Sequence, residues 1–196
     1  MHSAFDQRLF TIVHQPDRPL ASLAVVVVAG NQIVHECYLG NRWINPTEPA
    51  RSLPLTSESS FRVASISKLV TALAVMQLVE QGLVELDHDV GDYLGFALRN
   101  PHFSATPITT RMLLSHNSSL RDADLYTAAL PDLLEDFFSP SGALYAHGAH
   151  FAAPQPGQDL TPGCFFCYAN INSGVLATIV ERMTGQRFDL YVHERI

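Results

Sequence analysis

A chain of 196 residues, 47% hydrophobic and 16% charged, is long enough for one sizeable core and too apolar to be disordered. Its formal net charge of −7 and twelve scattered basic residues argue against a phosphate-binding surface, so no nucleic acid partner is expected. The three cysteines, Cys37, Cys164 and Cys167, give no disulfide framework.

Met1–His14 lacks a basic segment followed by an apolar one, so no leader is visible and a cytoplasmic setting is the default. Leu20–Ala29 is about half the roughly 20 residues that a membrane span needs, so no membrane span is expected. Ser22–Ala29 and Gln32–Leu39 look like strands, and the Gly30-Asn31 pair between them signals a hairpin. The first run is apolar throughout, which predicts a sheet covered on both faces. Asn41–Ser60, rich in Pro, Ser, Thr and charge, reads as a loop. Ser65–Gln81 is predicted to be a helix ended by Gly82 and buried on most sides, because its middle is apolar nearly all round. Short helices are expected in Asp87–Leu94 and Thr109–Ser115, and a further one over Leu125–Phe138. Ser139–Gly163, with four prolines and four glycines, reads as a long irregular excursion. Asn172–Thr184 is predicted to be a helix stopped by Gly185, and another begins at Arg187. Strands first and helices after give an α+β class.

The chemistry concentrates at Ser65-Ile66-Ser67-Lys68. Positions three apart on a helix share a face, so the Lys68 amine can reach the Ser65 hydroxyl. A serine needs an adjacent base to act as a nucleophile. Lys68 is the only lysine, whereas eleven positions carry arginine, which cannot give up its proton at neutral pH. Burial and the positive end of a helix both favour a neutral amine. The competing reading makes Ser65 a helix N-cap. A capping box would carry Glu or Gln three residues on, and Lys there has the wrong sign for a helix N-terminus.

Phe61-Arg62-Val63-Ala64-Ser65-Ile66-Ser67-Lys68 resembles the active-site signature of class C β-lactamases, penicillin-binding DD-peptidases and related esterases. Leu113-Leu114-Ser115-His116-Asn117-Ser118-Ser119-Leu120 is similar to a segment that in this family usually reads LLxHTSGL, departing at Asn117 and Ser119. Tyr168-Ala169-Asn170 matches the family's Tyr-x-Asn motif. The resemblance implies a β-lactamase/transpeptidase-like fold, an antiparallel sheet packed with helices plus a helical region. One domain is then expected over 1–196, with the hairpin and loop in 1–60 and the helical region in 61–196. It also implies a serine hydrolase that forms an acyl-enzyme on an ester, amide or lactam carbonyl. Ser65 would be the nucleophile, Lys68 and Tyr168 would handle its proton, and Asn170 would bind Lys68 and the substrate amide. A small-molecule or peptide-like substrate is expected, with no cofactor.

A phenol serves as a base only where a neighbour favours the phenolate, and an ammonium does so. The resemblance therefore pairs Tyr168 with Lys68 as one coupled titrating unit. The family's third motif, Lys-Thr-Gly or His-x-Gly, has no match after Asn170. The chain is therefore expected to be an incomplete copy of the domain, without its C-terminal strands. Cys164-Phe165-Phe166-Cys167 lacks a second pair for zinc and is expected to pack as a wall. His147 and His150 lack further ligands at metal spacing, and His116 is expected to be structural. A catalytically silent scaffold that binds a ligand or partner is the alternative to the enzyme, and a Cys164–Cys167 redox switch is a third, weaker one.

Overall fold

The computed structural model describes residues 4–127, 129 and 131–196. They form two compact units, one up to Arg62 and one from Val63 to Ile196.

The first unit opens with helix α1, Ala4–Val13, which the sequence reading missed. Leu9 and Val13, one turn apart, are its buried residues. Strands β1 (Ser22–Ala29), β2 (Gln32–Trp43) and β3 (Leu53–Pro54) form an antiparallel sheet in that order. Gly30 and Asn31 have φ of 56° and 62°, the left-handed pair that a tight hairpin requires. The register runs from Ser22 opposite Gly40 to Ala29 opposite Gln32, with an irregularity between Val27 and Val28. Strand β2 passes through Gly40 instead of stopping there. At φ 80°, with Ala21 O where a Cβ would stand, only glycine fits that close approach. The loop expected over 41–60 thus contains the short edge strand β3.

The prediction of a sheet covered on both faces fails in this chain. Val26 and Val28 are 50% and 61% exposed.

In the second unit, helix α2 (Ser67–Glu80) packs against helix α5 (Ile171–Thr184). Their contact buries Ala74, Val75 and Leu78 of one helix and Val175, Ile179 and Val180 of the other. Short helices α3 (Val90–Leu94) and α4 (Thr110–Leu114) start at Asp89 and Thr109, whose side chains cap them, and both touch α5. Helix α6 (Phe188–Arg195) closes the bundle against α2 and α5. Gly82 and Gly185, both with positive φ, follow α2 and α5 as expected.

Two expectations need correction here. Helix α2 is buried on one face only: Leu69 and Leu73 are 61% and 46% exposed. The helix expected over Leu125–Phe138 is absent from the described residues, apart from a 3-10 turn at Leu134–Phe137; Ala128 and Leu130 lie outside the described residues. Among the described residues, no helix is long and apolar enough to cross a membrane.

Candidate active site

The Ser-x-x-Lys segment begins before the regular helix. Ser65 sits in a 3-10 turn, Ala64–Ile66, that feeds directly into α2. Its predecessor Ala64 holds φ 46°, a left-handed geometry that costs a non-glycine residue about 1–3 kcal/mol. Ser65 is exposed and Lys68 half-buried. No side chain caps the start of α2. The Ser65 hydroxyl is engaged elsewhere, which disposes of the capping reading.

The Ser65 Oγ lies 2.7 Å from Tyr168 Oη. Lys68 Nζ donates to Ser65 Oγ at 3.0 Å and to Asn170 Oδ1 at 2.7 Å. Its ammonium also stands 4.9 Å from the centre of the Tyr168 ring. The four residues singled out in the sequence therefore converge, although about a hundred residues separate the two motifs. The Lys68 amine, a hydrogen-bond donor toward the phenol, is the largest influence lowering the Tyr168 pKa, and the Ser65 bond adds to it. A phenol so placed can take a proton from Ser65 and return it.

The orientation of Asn170 has a cause that sequence reasoning missed. Asp122 Oδ2 accepts from Asn170 N at 2.9 Å and from Asn170 Nδ2 at 2.8 Å, and Oδ1 accepts from Ile171 N at 3.0 Å. One carboxylate thus satisfies orphan donors at the start of α5 and complements the positive helix end. Because the amide nitrogen of Asn170 faces Asp122, its oxygen must face Lys68. The only signal in the sequence was an acid two residues after Leu120, and that spacing carries no rule.

His116 has hydrogen-bond partners of the kind a structural histidine needs. Its Nδ1 accepts from Asn172 Nδ2 at 3.0 Å and from Ala169 N at 3.3 Å, and its ring lies 4.6 Å from that of Tyr168. Burial and then the Lys68 charge lower its pKa, which fits a neutral ring with Nδ1 unprotonated. The two departures from the LLxHTSGL pattern have local explanations. Ser119 holds φ 64° where that pattern carries glycine. Its buried hydroxyl donates to Leu160 O and accepts from Asn100 Nδ2, both at 2.7 Å, which offsets the strain. Asn117 accepts from Ser115 Oγ at 2.8 Å and donates to Gly163 O at 3.3 Å.

The cysteine pair is corrected in part. Cys167 is half-buried, but Cys164 is an exposed free thiol beside Asp159, not part of a packed wall. His150 is fully buried against Phe137 and Phe138. Beside Tyr168 opens a cleft of about 320 Å³, lined by Arg121, Asp122, Ala152, Leu160 and Phe165.

The chain is similar to several known proteins. Penicillin-binding protein 4 of Amycolatopsis lactamdurans is 30% identical over 197 residues, covering all of this chain and 46% of the relative. The D-alanyl-D-alanine-carboxypeptidase/endopeptidase AmpH of Escherichia coli (strain K12) is 28% identical, covering 89% of this chain and 42% of the relative. The chain thus spans less than half the length of these relatives. The octameric penicillin-binding protein homologue from Pyrococcus abyssi has the same fold, with a TM-score of 0.75 at 24% identity, over all of this chain and 42% of that one. The family model described as Beta-lactamase matches residues 5–196, and the chain accordingly belongs to the β-lactamase family.

Proposed function

We propose that the full-length protein is a serine hydrolase that transfers the acyl group of an ester, amide or lactam to water through an acyl-enzyme on Ser65. The observation that carries this reading is the double contact on the Ser65 hydroxyl, from Tyr168 Oη and Lys68 Nζ. Ser65 Oγ attacks the carbonyl carbon while its proton passes to the Tyr168–Lys68 pair. That proton then goes to the leaving oxygen or nitrogen as the scissile bond breaks. Water repeats the sequence against the acyl-enzyme, releasing acid and restoring the Ser65 hydroxyl. The Ser65 backbone N–H supplies one donor to the developing oxyanion. Asn170 holds the Lys68 amine and offers its amide to the substrate. The relatives' names, a penicillin-binding protein and a D-alanyl-D-alanine-carboxypeptidase/endopeptidase, favour a substrate with a peptide-like carbonyl.

Fluorophosphonate and penicillin probes on the full-length protein test this directly. Labelling that Ser65→Ala abolishes is expected with at least one of them. A folded protein with no Ser65-dependent labelling would leave the silent scaffold as the better account.

Asp122 acts in this scheme as a positioning residue. Asp122→Ala is expected to cost about 1–3 kcal/mol of stability, the penalty for leaving its donors unpaired. Asp122→Asn keeps one accepting oxygen and should be milder. Its pH profile separates positioning from mere structure. The Asp122 charge raises the Tyr168 pKa, so removing it should move the rising limb of kcat/KM to lower pH. A limb that stays in place while stability falls would reduce Asp122 to a helix cap.

A further inference from the structure

Away from the serine, three side chains of different chemistry meet where α1 lies against β2. Asp6 comes from the first turn of α1. His35 and Cys37 are two apart on β2 and therefore project from the same face. One ligand atom from each, a carboxylate oxygen, a ring nitrogen and a thiol sulfur, lies within 4.8 Å of the other two. All three residues are half-buried.

The pair geometry is more telling than the clustering. His35 Nε2 stands 3.3 Å from Asp6 Oδ1, yet this buried ring nitrogen makes no hydrogen bond. The two atoms are as near as two ligands of one ion. Oxygen and nitrogen ligands about 2.0–2.2 Å from a tetrahedral ion are separated by roughly that same edge length. Phe5 packs edge-on against the His35 ring at 5.0 Å and limits its rotation. A groove of about 840 Å³ lined by Asp6, Gln7, Phe10, His35, Cys37 and Tyr38 gives an ion a way in.

We infer that Asp6, His35 and Cys37 form a binding site for a borderline-soft divalent ion, best matched by Zn²⁺, that clips α1 to β2. The donor set selects the ion. A thiolate and an imidazole suit zinc, whereas magnesium and calcium take oxygen ligands. A water completes four-coordination. On binding, the Cys37 Sγ–H bond breaks, the sulfur pair becomes a metal bond and the proton leaves to solvent. No electron is transferred. A carboxylate and a thiolate then balance the two charges of the ion.

The test is titration of the full-length protein with Co²⁺, whose thiolate complexes absorb strongly in the near ultraviolet. One equivalent should produce a sulfur-to-cobalt band together with the visible bands of a tetrahedral ion, and Zn²⁺ should displace both. The band should persist in the Cys164→Ser/Cys167→Ser double variant and vanish in Cys37→Ser. His35→Gln and Asp6→Asn, followed by competition with a chromophoric chelator, should weaken Zn²⁺ binding by more than about 10-fold, since even a ligand's outer partner is worth about 10- to 100-fold. Circular dichroism shows whether each variant has kept its fold, and one folded variant suffices. No sulfur-to-cobalt band, a band surviving Cys37→Ser, or one lost with Cys164 and Cys167 would each overturn the site.

Discussion

Lys68→Arg in the full-length protein is expected to lower kcat/KM nearly as far as Ser65→Ala, by about 10⁴-fold or more. Arginine keeps a positive charge three residues from Ser65 but cannot accept a proton at working pH. Its guanidinium is also planar and larger than the ammonium that now bridges Ser65 Oγ and Asn170 Oδ1 at 3.0 and 2.7 Å. The comparison separates two roles that share one geometry. If Lys68 only lends its charge to Tyr168, arginine supplies that charge and restores much of the rate. If Lys68 also carries a proton between Ser65 and the leaving group, the rate collapses. Steady-state kinetics on a chromogenic ester and a chromogenic cephalosporin make the measurement. Turnover near wild type would remove Lys68 from the proton path and leave Tyr168 as the base.

Tyr168→Phe should cost about 10²- to 10⁴-fold in kcat/KM, the usual worth of a positioned acid–base group, and should also change the pH profile. The sign follows from the direction of the shift. The phenolate is the proton-accepting form and exists above the Tyr168 pKa, which Lys68 and Ser65 hold below the ordinary phenol value. Activity therefore rises with pH through that lowered value, and the rise begins earlier than a free phenol would allow. With phenylalanine the ring still packs on His116, but this limb should disappear from the profile. An unchanged limb at reduced rate would assign the titration to another group and make Tyr168 a spacer.

Much of the site was legible because its parts are short-range patterns. Ser65 and Lys68 are one helical turn apart, and the conflict between lysine and a helix N-terminus marked them. Tyr168 and Asn170 were legible only through the family pattern, since neither residue type alone distinguishes packing or capping from chemistry. Asp122 was not legible. Its role depends on the approach of the segment after Leu120 to the start of α5, a long-range fact with no local spacing. The same limit hid the meeting of Asp6 with His35 and Cys37, because α1 itself was missed. In the fold, Gly30-Asn31, Gly82 and Gly185 punctuated the chain where expected. Apolar content misled in another way. In β1 and α2 it forecast burial, but composition tells which surface avoids water and not whether these residues supply its cover. Over Leu125–Phe138 the described residues hold a 3-10 turn at Leu134–Phe137 in place of the expected helix.

The long excursion from Ser139 to Gly163 is sewn to the rest of its unit at a few points. Leu120 bridges to Phe151, Arg121 N donates to His150 O at 3.0 Å, and Ala152 N donates to Ser119 O at 2.9 Å. Asn100, fully buried, fastens the same seam by donating to Ser119 Oγ and Ala152 O. The seam runs through residues 119–122, and Asp122 at its end sets Asn170. The cleft beside Tyr168 is lined both by seam residues, Arg121, Asp122 and Ala152, and by Gln155 and Gln158, which lie between the stitches. Changes at Gln155 and Gln158 can therefore redraw part of the cleft without disturbing the seam. Inserted residues should accordingly be tolerated between the stitches and not at them.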